Sequence, residues 1–126
     1  MFKGPQAIAA ALARGGYVIY MRHGRTQYDQ IELEHHNRAN GTFDLDKCAT
    51  QRQLSEEGHA EMKVTGEQFR QVGIALDGVF SSRYCRAIES AAFFAESYRC
   101  PHRASAVGWY CAGKNSAIVF DSRYRQ

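Results

Sequence analysis

Apolar residues in this chain fall into short blocks of differing period, set apart by polar stretches of unequal length. Residues from about Gln6 to Ala13 are rich in alanine, the best helix former, and Pro5 suits a first helical turn. Gly15-Gly16 ends that helix. Tyr17-Val18-Ile19-Tyr20-Met21 is a continuous apolar, β-favouring run, which predicts a strand buried on both faces. Arg22-His23-Gly24 follows at once. These polar residues therefore stand at the carboxyl end of a buried strand, the edge at which open α/β sheets bind ligands.

From Arg25 to Gln53 the pattern is polar and irregular, and a loop of that length predicts a functional flap over the strand end. Ser55 offers an N-cap for the next helix, with Glu56 and Glu57 in its first turn. Met62, Phe69 and Val72 give that helix an apolar face, and Gly58 and Gly66 suggest close packing against a neighbour. Gly73 ends it. Gly78-Val79-Phe80-Ser81 reads as a second strand. A further helix starts at Ser82 or Arg83, buries Ala87, Ile88, Ala91, Ala92 and Phe94, and stops before Pro101. Ala104–Val107 and Ala117–Phe120 read as short strands, with Gly108 to Asn115 lacking any period between them. The alternation predicts an α/β fold on a parallel sheet. Right-handed crossovers then bring the loop after Tyr20 and the segment Ser81 to Arg86 to one pocket.

The 126 residues suffice for one compact domain, 1–126, and not for two. Apolar content of 44% and charged content of 23% match an ordinary globular protein, so disorder is not expected. The formal charge of +3 is small and the basic residues are dispersed, which argues against nucleic acid as a partner. Arginine outnumbers lysine, which suits bidentate contacts with phosphate. The cysteines at 48, 85, 100 and 111 form no Cys-x-x-Cys pair and no zinc-type spacing with His. They read as free or partly buried thiols, and no metal or cofactor is expected. No apolar run predicts a membrane span. Lys3 followed by Ala7 to Ala13 reads as a helix rather than a signal peptide. The default location is the cytoplasm, with the periplasm as the alternative if an upstream signal exists.

The chemistry concentrates at Arg22-His23-Gly24. An uncharged imidazole nitrogen can attack phosphorus. Arginine holds phosphate oxygens in a fork, and glycine lets a phosphate come close to the backbone.

The run from Tyr17 to Thr26 resembles the signature strand and loop of the histidine phosphatase superfamily. Two later elements extend the resemblance: Leu54-Ser55-Glu56-Glu57-Gly58, and Ser82-Arg83-Tyr84-Cys85-Arg86-Ala87 with Ser81 before it. The similarity covers about Gly15 to Ala95, while 100–126 is atypical. It is closest to small bacterial members with a Cys-Ala-Thr-Gln-Arg-x-Leu-Ser stretch, here Cys48 to Ser55. The resemblance implies a three-layer α/β/α domain of phosphoglycerate-mutase type on a parallel sheet, incomplete at its C-terminus.

It further implies that His23 accepts the phosphoryl group and that Arg22 and Arg86 bind its oxygens. Arg52 reaches the same pocket, and Arg25 and Thr26 line its entrance. Glu89 and Ser90 pack or cap. Members usually carry a second, late His and an acidic proton donor. The late candidate, His102, lies in Cys100-Pro101-His102-Arg103, just past a helix, which is the wrong context. The only acid beyond Glu96 is Asp121, close to the C-terminus; Asp29, Glu32 and Glu34 in the long loop are candidate acids, and spacing selects none. The implied activity is hydrolysis of a phosphomonoester or phosphohistidine, on a small molecule or a phosphoprotein, weakened by the missing His. The alternatives are a non-catalytic phosphate or phosphopeptide binder and an incomplete gene product. Cys48 and Cys85 each precede a candidate arginine by a few residues. A disulfide between them is a further possibility, tying the long loop to the helix of Arg86.

Overall fold

Ser55 sets the start of the longest helix. Its hydroxyl accepts the N–H of Gly58 at 3.0 Å, as an N-cap should, and helix Glu56–Gln71 follows. The computed structural model describes residues 4–111 and 116–121. In chain order the helices are α1 (Gly4–Arg14), α2 (Ile31–Ala39), α3 (Glu56–Gln71) and α4 (Cys85–Tyr98). The strands are β1 (Val18–Arg22), β2 (Gly78–Ser81), β3 (His102–Ser105), β4 (Gly108–Tyr110) and β5 (Ala117–Asp121). Lys3 and residues 112–115 of the aperiodic segment lie outside the described residues.

The strands form one sheet in the order β1-β5-β2-β4-β3. The last strand inserts between the first two and runs parallel to both, with Tyr20 beside Val119 and Val79 beside Ile118. β4 is antiparallel to β2, and β3 to β4. The sheet is therefore mixed, not parallel throughout. The reason is local: only Ala106 and Val107 separate β3 from β4, which is a hairpin connection and far too short for a parallel crossover. The strand read at Ala104–Val107 lies two residues earlier, and the aperiodic segment supplies β4.

Helices α3 and α4 cover one face. Gly66 of α3 sits so close to Phe94 of α4 that a β-carbon there would meet the Phe94 carbonyl. Phe94 packs edge-on against Phe69 at 5.1 Å and Phe120 at 5.4 Å, over Val79, Ile118 and Leu76. Burying each such side chain contributes roughly 1.5–3 kcal/mol. The other face is open at Val18 (66% exposed) and Tyr20 (76%). The reading of β1 as buried on both faces is thus corrected: β1 is an edge strand with one covered face.

The segment 25–53 is also not a plain loop. It contains α2 and two short 3-10 turns, at Tyr28–Gln30 and Cys48–Thr50. Its apolar residues are few because the buried residue of α2 is Glu34, not an aliphatic one. All four cysteines are paired, which overturns the free-thiol reading. Cys48–Cys85 has a Cα separation of 5.7 Å and Cys100–Cys111 one of 4.4 Å. The second pair joins the ends of α4 and β4 and is created by the β3–β4 hairpin, which no Cys spacing announces.

Candidate active site

Because β1, β5 and β2 are parallel, their carboxyl ends share one edge of the sheet. Arg22 ends β1 in register with Asp121 of β5, and Ser81 ends β2. His23 follows Arg22, and α4 begins four residues after Ser81, which brings Arg86 to the same edge.

His23 is buried at 8% exposure, and its Nδ1–H donates to the Gly24 carbonyl at 2.7 Å. A carbonyl can only accept, so Nδ1 carries the proton and Nε2 keeps its lone pair. Burial is the main force holding the His23 pKa down, to about 4. The Gly24 bond opposes it, and the charges of Arg86, Arg22 and Arg52 push it lower. The imidazole is neutral at pH 7. Its Nε2 is buried with no hydrogen-bond partner among the described residues.

Arg86 is 3% exposed and lies against the Tyr84 ring at 4.7 Å. Its Nη1 donates to Glu34 Oε1 at 2.6 Å, while its Nε is buried without a hydrogen-bond partner. Arg52 Nε is 3.9 Å from Glu34 Oε2 and makes no hydrogen bond; the Arg52 N–H donates to Glu34 Oε1 at 3.1 Å. Burial and the neighbouring Arg86 charge lower the Arg52 pKa, with Glu34 opposing. Burial pushes the Glu34 carboxyl up. The Arg52 N–H, the Arg86 bond and the charges of Arg86 and Arg38 outweigh it and hold Glu34 below its usual range. The hydroxyls of Ser81 and Ser82 at the same edge are also buried without partners among the described residues.

The helices fix this arrangement through short links. The Gly24 N–H donates to Ser90 Oγ at 2.9 Å, and Ser90 Oγ donates to the Arg86 carbonyl at 2.7 Å. A β-carbon on Gly24 would lie 2.9 Å from the Gly58 carbonyl oxygen. The absent side chain at 24 thus admits α3, and the expectation that it makes room for phosphate gives way to packing. The Arg25 carbonyl accepts the Ser55 N–H at 2.9 Å, and Thr26 pairs with Leu54. The Leu54-to-Gly58 element is therefore a clamp on the loop after β1.

A cleft of about 1020 Å³ opens beside His23. Arg22, Arg25 and Thr26 line it, together with the carboxylates Asp29, Glu56, Glu57 and Glu61. Arg25 Nε lies 3.4 Å from Glu61. Arg52 and Arg86 are not among its lining residues; they gather around Glu34. His102 is exposed on β3, at the far edge of the sheet from β1. His35 and His36 are exposed on α2, and His59 pairs with Glu89 at 3.0 Å. Among the described residues no group of three or more His, Cys, Asp or Glu side chains converges as metal ligands, and no helix is long and apolar enough to cross a membrane.

Sequence reasoning missed Gln51. It is fully buried, accepts the Cys85 N–H at 3.0 Å and donates to the carbonyls of Asp44 and Leu45. It thereby caps α4 from a distant segment. Glu34 was visible only as one of several acids.

The family model described as histidine phosphatase superfamily (branch 1) matches residues 18–106. Comparison with curated proteins and with solved structures gave no match.

Proposed function

Since the chain belongs to branch 1 of the histidine phosphatase superfamily, we propose that it hydrolyses a phosphomonoester or phosphohistidine through His23. The Nε2 lone pair attacks phosphorus, and the bond from phosphorus to the leaving group breaks. The leaving group departs with the bonding electrons and takes up a proton from water. Water then attacks the phosphohistidine, the P–N bond returns its electrons to Nε2, and phosphate is released. The observation that carries this reading is the tautomer. The Gly24 carbonyl holds the proton on Nδ1, and the Nε2 lone pair is left unpaired where three guanidinium charges act on it. Those charges favour an anionic transition state.

Glu34 does not suit the proton-donor role, since its arginine contacts keep it ionised. Asp29, Glu56, Glu57 and Glu61 line the cleft with His23 and are the candidate donors. A well-placed acid is worth about 10²–10⁴ in rate, so turnover without one is slow.

A second reading, phosphate binding without turnover, is favoured by one observation: the closest bond of Arg86 goes to Glu34, and Arg86 does not line the cleft. Rapid mixing with a ³²P-labelled phosphomonoester, quenched in alkaline detergent, separates the two. The hydrolytic reading expects protein-bound label in the native chain and none in His23→Ala. Phosphate binding with no bound label under any substrate supports the second.

A further inference from the structure

Resting on the phosphoryl-transfer reading, we infer that Glu34 is a positioning residue: its buried carboxylate holds the guanidinium groups of Arg86 and Arg52 with their Nε–H donors left over for phosphoryl oxygens. A carboxylate at 4% exposure is costly unless it is paired. Glu34 is paired on both oxygens. Oε1 accepts from Arg86 Nη1 at 2.6 Å and from the Arg52 N–H at 3.1 Å. Oε2 lies 3.9 Å from Arg52 Nε and 3.8 Å from Arg38 Nε.

The carboxylate itself is fixed from outside. Helix α2 is tied to the segment 50–53 on both sides of Glu34. Asn37 Nδ2 donates to the Thr50 carbonyl at 3.0 Å, and the Gln53 N–H donates to Gln30 Oε1 at 2.7 Å. The disulfide Cys48–Cys85 closes the same segment onto the first turn of α4, one residue before Arg86.

Two like charges held this close need a counter-charge, and Glu34 supplies it. It does so without using up the donors. A guanidinium has five N–H groups, and the bond to Glu34 occupies only Nη1 of Arg86. Arg86 Nε and Arg52 Nε remain buried and without a hydrogen-bond partner among the described residues, as does His23 Nε2. Two donors and one nucleophile are thus left unsatisfied on side chains whose charges act on His23, and a phosphoryl anion would satisfy all three. Glu34 therefore acts through the arginines and touches no substrate.

The test is a double-mutant cycle on the full chain, read as affinity for inorganic phosphate by calorimetry, with thermal melts alongside. Glu34→Gln keeps the shape and removes the charge; it is expected to weaken phosphate binding about tenfold. Arg86→Ala weakens it at least as much. The double variant loses less than the product of the two single losses, because one of the two guanidinium groups that Glu34 positions is already gone. Glu34→Asp keeps the charge with a shorter reach, shows the same pattern on a smaller scale, and serves if the Gln variant does not fold. The inference is overturned if Glu34→Gln binds phosphate as tightly as the native chain, or more tightly, or if the two losses multiply in the double variant. A native chain that binds no phosphate brings down the phosphoryl-transfer reading, and this inference with it. That failure is recognisable because it precedes any change at position 34.

Discussion

Gly24 and Gly58 face each other so closely that a β-carbon on the first would stand 2.9 Å from the carbonyl oxygen of the second. Each also bears on the loop that carries His23. The Gly58 position is tighter still, since a β-carbon there would meet the backbone of Arg25. Neither backbone can yield without moving His23 or the N-terminus of α3. Gly58→Ala is therefore expected to destabilise the fold by about 2 kcal/mol, the usual range for overpacking a filled site. Chemical denaturation checks it; a change below about 0.5 kcal/mol would contradict the packing account.

The two disulfides are expected to differ in what they do. Chain entropy gives about 4 kcal/mol for closing the larger loop, Cys48 to Cys85, and about 3 kcal/mol for Cys100 to Cys111. The larger one also docks the segment that seats Arg52 against Glu34, next to Arg86. A Cys48→Ser, Cys85→Ser pair should lose phosphate affinity as well as stability. A Cys100→Ser, Cys111→Ser pair should lose stability alone. Melting and phosphate titration of both pairs decide this; equal loss of affinity in the two would refute the distinction.

The pH dependence of stability follows from His23. Its folded pKa of about 4 lies below the unfolded value of 6.5, so the unfolded chain binds the extra proton first. The favourable contribution is complete above pH 6.5. It is lost as pH falls from 6.5 towards 4, up to about 3 kcal/mol. His23→Asn should flatten that stretch of the profile. Denaturation curves at several pH values between 4 and 7 test this, and parallel profiles for the two proteins would count against it.

Much of the scaffold was readable because it obeys simple periods. The apolar run Tyr17 to Met21, the Ser55 cap and the Ala/Phe face of α4 each announced an element, and the Arg-His-Gly triplet fell at the strand end as expected. Helix α2 was not readable, since its buried position is an acid whose partners come from residues 38, 52 and 86. β4 was hidden because three residues, Gly108, Trp109 and Tyr110, are too few to show alternation. The single open face of β1 was hidden too, because Val18 and Tyr20 are apolar in sequence yet exposed in place. The candidate site residues follow the same division. His23 and its arginines are named by chemistry at a sheet edge, whereas Glu34 and Gln51 act through long-range contacts that leave no local signature.

The central claim is that Nε2 of His23 takes the phosphoryl group while Nδ1 keeps its proton on Gly24. The most direct measurement is NMR of the trapped intermediate, with ³¹P detection and ¹⁵N-labelled histidine. The account predicts a single phosphohistidine, with phosphorus bonded to Nε2 of residue 23. Phosphorus on Nδ1, or on any other residue, would contradict it.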